Sequence, residues 1–390
     1  MVKAAPQASA AASRPVRRRL WPKLVLLAFT LLLCFLVGEI AVRLTWQGQW
    51  QVPAAALTDP GAFHLRLKPN HHFRISLADL GSFEVATNAR GFRGPTVADL
   101  ARHKARVVAI GDSFTLPWGI SVEEQAVFQA CQLANAAQPD RDMACALVAQ
   151  PNWDPQDYYF AYLTEVRPHP VDLVVVGLFP GNDLIAPGTP RYEKPEDVPP
   201  RVWQPGNDRP PFWRCYLADW AWNRVTGSAW ATQWAIRTGN YPATFQRFVP
   251  NDAEQATAWE TTLHYLDRLR AATQADGTTL MVVVYPSIVQ VNHRDEILAA
   301  GLDPDLPEKQ VRAWCERQKV PCVTFLEPLC AVNQARDLYF PRDRHLNAKG
   351  HRVAAEALMP DLAGLLDRVA RNRSAPTPAH PANASGKPDG

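Results

Sequence analysis

The chain has 390 residues, 47% of them hydrophobic and 20% charged, which is material for one large domain or two modest ones. Its net charge of +3 is uneven: Lys3, Arg14, Arg17, Arg18, Arg19 and Lys23 have no acid among them, and the rest holds 35 basic against 38 acidic residues. A body with a slight acidic excess excludes a basic nucleic-acid-binding surface.

Residues 1–19, rich in Ala, Pro and Arg, read as a disordered basic tail. Leu24 to Val42 is then apolar apart from Thr30, Gly38 and Glu39. That is close to the ~20 residues of a bilayer-spanning helix, so 20–43 is predicted as a transmembrane signal anchor. Arg17–Arg19 before it predict a cytoplasmic N-terminus. The expectation is a single pass through an inner membrane, with everything beyond Arg43 outside the cytoplasm, in the periplasm. A cleaved signal peptide has the same order of charge, but no A-x-A site follows the apolar run. Trp46 and Trp50 stand where interfacial aromatics are expected.

Residues 46–104 form a mixed N-terminal extension containing Asn88-Ala89-Arg90-Gly91-Phe92-Arg93-Gly94. A regular alternation fills 105–372. Short apolar runs at Arg106–Ile110, Met143–Val148, Val171–Leu178, Leu280–Tyr285 and Val320–Leu326 read as strands. Helical patterns occupy 121–137, 155–167, 253–275, 308–317 and 347–369. Such alternation predicts a parallel sheet covered on both faces. The Pro-rich segment 186–250 breaks it as an insertion holding Trp203, Trp213, Trp220, Trp222, Trp230 and Trp234. Those rings suit a sugar-binding platform, and the plainer role is packing against the sheet or the membrane interface. Residues 373–390 read as a solvated tail. Of six cysteines in the body, Cys131–Cys145 and Cys315–Cys322 would close short loops as disulfides, and free buried thiols fit equally. No spacing resembles a zinc site, and no metal or cofactor is implied.

Three short stretches carry chemistry. Gly111-Asp112-Ser113 follows the first strand, where α/β sheets bind their ligands. Gly181-Asn182-Asp183 follows the third, and an Asn amide there can stabilise the anion formed when an acyl carbonyl is attacked. Asp343-Arg344-His345 precedes the last helix. In an extended segment, residues two apart share a side, so Asp343 can orient His345, which can then take the proton of Ser113. Each stretch alone also reads blandly, as helix caps and a turn. Together they supply a nucleophile, an oxyanion donor and an oriented base at one sheet edge. His351 and His293 are weaker candidates for the base, with His351 placed on the exposed face of the last helix. Asp112 and Asp183 are assigned to shaping the two turns.

These stretches resemble the SGNH (GDSL-like) hydrolases over about 105–370. The resemblance implies a flavodoxin-like three-layer α/β/α fold with a parallel sheet of about five strands. It also implies Ser113 as nucleophile, Asp343 and His345 as its partners, and Asn182 with the Ser113 backbone N–H as oxyanion donors. Gly38-Glu39 and Asn88–Arg93 are similar to a membrane-linked branch whose relatives include acetyl esterases and O-acetyltransferases of exported polysaccharides. Two departures stand out. Family members have a Gly after the second strand as a third oxyanion donor, whereas this chain has Ala149-Gln150-Pro151-Asn152-Trp153, leaving Ala149 and Asn152 as alternatives. One residue, instead of the more familiar two, separates the acid from the base. The expected activity is hydrolysis of a small-molecule or glycan ester. The alternatives are O-acyl transfer to a surface polysaccharide, fed by a membrane-bound acyl-donor partner, and a non-catalytic binding or assembly role.

Overall fold

A computed structural model describes residues 20–45, 66–77, 81–199, 215–226, 230, 234, 238, 247–250, 252–341 and 343–374. The tail 1–19, Trp46, Trp50, Trp203, Trp213 and residues 375–390 lie outside the described residues.

An antiparallel hairpin, β1 (His72–Leu77) with β2 (Gly81–Ala86), precedes the main sheet. That sheet has five parallel strands: β3 (Ala105–Gly111), β4 (Met143–Ala149), β5 (Leu173–Leu178), β6 (Thr279–Val284) and β7 (Cys322–Thr324). Their order is β4-β3-β5-β6-β7. β5 is buried along its whole length, as a Leu-Val-Val-Val strand covered on both faces must be. Alternate residues feed opposite layers. Val107 and Ala109 pack with helix α2 (Ala126–Ala137) and the last helix (Ala348–Ser374). Val108 and Ile110 pack with α3 (Pro155–Ala161) and the helices Ala253–Ala275 and Leu306–Gln318. The result is the three-layer α/β/α arrangement implied by the resemblance.

Connections from β3 and β5 leave in opposite directions, so the crevice of the sheet opens between their C-terminal ends. Gly111 and Gly177 are paired in register there. A Cβ on either would come within 2.1 Å of Thr115 Oγ1. The two glycines therefore make the room that lets the turn after β3 fold down over the sheet edge.

Some boundaries differ from expectation. The helix predicted from 121 starts at Ala126, because the Gln125 side chain accepts the N–H groups of Val127 and Phe128 at 2.8 and 3.0 Å and caps it. Residues 113–124 are instead spent in turns over the crevice. The helix predicted at 155–167 ends as α3 at Ala161 and continues as a single π turn, Tyr162–Val166. The strand expected over Val320–Leu326 keeps only Cys322–Thr324, since Phe325 leaves the extended conformation (φ −92°, ψ 0°) and a short helix begins at Leu326. The thiols of Cys131 and Cys145 lie side by side, as do those of Cys315 and Cys322.

Helix α1 (Leu20–Thr45) has a mean hydropathy of 2.6 over its most apolar stretch, and its side chains from Leu24 to Val37 are mostly exposed. By length and composition it can cross a membrane, as a single-pass anchor or a signal sequence. Its C-terminal part packs against α4 (Tyr216–Thr226).

Candidate active site

The turn after β3 is built by Asp112. Its Oδ1 accepts the Phe114 N–H at 2.8 Å, and its carbonyl accepts those of Thr115 and Leu116 at 3.1 and 2.8 Å. This Asx-type turn lifts Ser113 to the mouth of the crevice. Burial pushes the Asp112 carboxyl up to about 6, against the Phe114 N–H, the nearby His345 and the Asn182 side chain, which all favour its charged form.

The turn after β5 is built by Asp183. Its Oδ2 accepts the Phe179 N–H at 2.6 Å and its Oδ1 the Tyr158 hydroxyl at 2.9 Å. Phe179 O accepts the N–H groups of both Asn182 and Asp183 at 3.1 Å. Asn182 is thereby held, exposed, on the rim of the crevice. Burial and the neighbouring Asp112 raise the Asp183 carboxyl well above the usual range. The shaping role expected of both acids is the one they have.

Asp343 and His345 arrive on a tight turn, not the extended segment expected. Tyr339 bridges to Leu346, Phe340 N–H bonds His345 O at 2.9 Å, and Arg344 N–H bonds Phe340 O at 2.8 Å. Arg344 takes φ +71° to close it. Asn347 caps the last helix by accepting the Gly350 N–H at 3.1 Å.

These three turns bring Ser113, His345 and Asp343 together. His345 Nε2 lies 2.7 Å from Ser113 Oγ, and Nδ1 lies 2.6 Å from Asp343 Oδ1. An ionised carboxylate only accepts, so Nδ1 carries the ring proton and Nε2 is left to accept from the Ser113 hydroxyl. The other carboxylate oxygen accepts the indole N–H of Trp118 at 3.2 Å. Phe114 packs its ring 4.8 Å from His345 and 3.9 Å from Phe179. Ser113 is 4% exposed and His345 5%, so the pair meets away from bulk water.

His351 is buried, not exposed as expected. Its Nδ1 accepts the Ala126 N–H at 3.2 Å, and burial, with His345 nearby, lowers its pKa to about 3. It is a neutral structural acceptor. His293 lies 3.6 Å from Glu296 and does not approach Ser113 within hydrogen-bonding reach in the contacts described.

A cavity of about 270 Å³ opens beside Ser113, lined in part by Asn152, Asn182, Arg247, Phe248 and Ile288. Asn152 bears on the missing Gly. It lines the cavity and has φ +60°, a conformation that favours Gly and that Asn tolerates better than most residues. Ala149 is buried at the end of β4 against Leu116 and Trp118. Of the two alternatives, Asn152 is the one that lines the cavity. Arg247, raised by no motif, is partly buried at the cavity wall, and burial lowers its pKa to about 10. No local pattern marks it in the sequence.

The stretch Asn88–Arg93 braces the site from outside. Asn88 closes its own loop by accepting from Arg90 and Phe92 N–H and donating to Gly94 O. Gly91 (φ +80°) passes so close to Leu67 that a Cβ would lie 2.3 Å from its carbonyl oxygen. Gln150 ties both strands of this contact, donating to Gly91 O and accepting from Leu67 N–H. Buried Arg93 donates to the carbonyls of Pro117 and Ile120 and so pins the segment that bears Trp118.

The fold is a parallel five-stranded sheet with helices on both faces, and comparisons with known proteins bear on it. Residues 245–387 match the family model described as SGNH hydrolase-like domain, acetyltransferase AlgX. That match includes Asp343 and His345, while Ser113 and Asn182 join them through the sheet. No curated protein matches the chain. Solved structures similar to it include a putative lipolytic protein of the G-D-S-L family from Desulfitobacterium hafniense, 12% identical, covering 65% of this chain and 97% of that one with a TM-score of 0.37. The acetylxylan esterase Axe2 from Geobacillus stearothermophilus is 13% identical over 66% of this chain and 93% of its own, with a TM-score of 0.38. A putative GDSL-like lipase from Parabacteroides merdae is 14% identical over 70% and 100%, with a TM-score of 0.40.

Proposed function

We propose that the chain is a serine-dependent ester-cleaving enzyme, held by α1 as a single-pass anchor with its α/β body outside the cytoplasm. One observation carries the reading: the alignment of Ser113, His345 and Asp343 at 2.7 and 2.6 Å beside a cavity at the switch point of the sheet. His345 Nε2 takes the Ser113 proton as Oγ attacks the ester carbonyl. The oxyanion is met by the Ser113 backbone N–H, the Asn182 amide and the Asn152 backbone N–H. The intermediate collapses, the leaving alkoxide takes the proton back from His345, and an acyl group stays on Ser113. Water, deprotonated in turn by His345, releases the acid.

A second outcome for the same acyl-enzyme is favoured by the matched family model, which is described by an acetyltransferase. A glycan hydroxyl then replaces water as acceptor, and the donor ester is delivered from the membrane side. Both readings need the Ser113 adduct, whereas a binding or assembly role does not.

The test uses the full chain and Ser113→Ala with p-nitrophenyl acetate and a fluorophosphonate probe. Turnover and labelling that both vanish in the variant are the expected result. Labelling without turnover selects the transferase. A folded parent that neither labels nor turns over refutes the enzyme reading.

A further inference from the structure

The pair Gly38-Glu39 takes no part in the site, yet it makes the densest polar contact in α1. Glu39 Oε1 accepts the Tyr216 N–H at 3.0 Å, and Oε2 accepts the Leu217 N–H at 2.7 Å and the Cys215 thiol at 3.4 Å. These N–H groups begin α4 and have no partner inside that helix, so the carboxylate caps α4 from a different part of the chain. Arg43 completes the socket. Its Nε bonds Glu39 Oε1 at 2.7 Å, and its guanidinium lies 4.4 Å from the Tyr216 ring centre. Gly38 lets the helices touch, since a Cβ there would already be 3.1 Å from Leu217 Cδ2.

The depth of this socket is informative. Glu39 stands about 18 residues along α1 from Trp21, which at ~1.5 Å per residue is ~27 Å. A bilayer's hydrocarbon core is ~30 Å thick. A carboxylate is costly at mid-membrane, and here it stands about one core thickness from Trp21, at the far edge of the span, and is fully engaged. At the same level the neighbouring α1 side chains Leu36, Val37 and Ile40 are exposed. The clamped helix α4 carries exposed indoles, Trp222 at 69% and Trp220 at 36%, and Trp230 and Trp234 further along the chain are 68% and 52% exposed. Arg224 lies over the Trp220 ring at 5.4 Å. Indoles and snorkelling cations are the chemistry of the boundary between headgroups and acyl chains.

We propose that α4, clamped to the span by Glu39, lies among lipid headgroups with Trp220 and Trp222, and that the exposed Trp230 and Trp234 after it join this interfacial membrane contact. The occupant is lipid, because α4, with its exposed Trp220 and Trp222, packs on α1 at the depth where the exposed apolar surface of the span ends. The inference rests on the anchor reading of α1 and is independent of the chemistry at Ser113.

The experiment places the full chain, one per nanodisc, in phosphatidylcholine brominated on the acyl carbons nearest the headgroup. Trp222→Phe/Trp230→Phe/Trp234→Phe and Glu39→Ala are compared with the parent. The expected result is that the triple variant loses at least a third of the lipid-quenchable tryptophan emission. Glu39→Ala should lose a similar share while resisting alkaline carbonate extraction as the parent does. An unchanged quenchable share, with the three indoles open to acrylamide, puts the helix in water and overturns the proposal. Protection from both bromolipid and acrylamide puts a protein surface in place of lipid and overturns it too. Release of the parent by carbonate removes the anchor reading beneath it. Ester turnover of the triple variant in detergent should equal the parent's, so a failure here is separable from a failure at Ser113.

Discussion

Asp343→Asn is the sharpest perturbation of the candidate site. The carboxylate presents one oxygen to each of two donors, His345 Nδ1–H at 2.6 Å and the Trp118 indole N–H at 3.2 Å. Asparagine keeps the shape but has a single oxygen. If that oxygen stays with Trp118, the amide NH2 faces Nδ1, which must become an acceptor. The ring proton then moves to Nε2, points at Ser113 and removes the base. If the oxygen stays with His345, two buried donors confront each other at Trp118, costing ~1–3 kcal/mol, and the imidazolium loses its counter-charge. Either way the acylation step suffers; the first arrangement has cost about 10⁴ in kcat in a comparable triad, or ~5.5 kcal/mol of barrier. Trp118→Phe deletes one donor and leaves the bond to His345, so about tenfold is expected, the scale of one hydrogen bond to a charged group. The assay is p-nitrophenyl acetate turnover beside the rate of fluorophosphonate labelling, with thermal melting to confirm folding. A folded Asp343→Asn enzyme that keeps more than ~10% of the parent rate refutes the orienting role of Asp343.

Three further outcomes are expected. Asn152→Gly keeps the backbone N–H and suits φ +60°, so turnover should stay within about threefold of the parent; a much larger loss, measured on the same ester, would move the third donor to the side-chain amide. Gly177→Ala sets a Cβ 2.1 Å from Thr115 Oγ1 and should lower the melting temperature by overpacking worth ~1–3 kcal/mol, with recovery when Thr115→Ala is added; failure of the second change to rescue would show that the clash is not the cause. Glu308 is buried, both its oxygens meet Gln290 Nε2 at 3.0 and 2.8 Å, and burial raises its pKa to about 8. The folded chain thus holds a proton that the unfolded chain releases above about pH 4.5, so this contribution is complete at lower pH and is lost as pH rises to about 8. The parent's melting temperature should fall more between pH 6 and pH 9 than that of Glu308→Gln, by several degrees for a few kcal/mol, and parallel curves would refute the assignment.

The parallel sheet was legible because strands buried on both faces leave uninterrupted apolar runs, as in Val174–Val176, and because helical periodicity fills the gaps between them. Ser113, Asn182 and His345 were legible for a related reason: each stands at a strand end or at the entrance to the last helix, and a parallel sheet gathers such places at one edge. Contacts that span the chain left no local trace. Trp118 and Asp343 are 225 positions apart, and nothing in Leu116-Pro117-Trp118 says that its indole N–H is spent on a carboxylate. Glu39 and Leu217 are 178 apart, and the capping rule that reads a helix start from the preceding residues cannot see a cap supplied by another helix. His351 was misplaced because the last helix buries a broad face, with Ala354, Ala355, Leu358 and Leu362 inside, and His351 falls on it.

The residue after β4 shows why a motif must be read through backbone geometry. Judged by residue type, Ala149-Gln150-Pro151-Asn152 lacks the expected Gly and with it an oxyanion donor. The backbone there takes a left-handed conformation at the cavity wall, and Gly is the residue that adopts that conformation most easily. Asn is among the few others that do, because its short amide reduces the steric penalty by bonding locally. Asn152 sits at φ +60° on the cavity wall with Ser113 and Asn182, a backbone conformation that Gly also favours. The substitution also adds a side-chain amide that Gly cannot offer, beside the place where an acyl group or an incoming hydroxyl would lie. The proposed mechanism asks of Asn152 a backbone N–H for the oxyanion and leaves its side-chain amide to meet the acceptor, and Asn152→Gly separates those two functions by removing only the second.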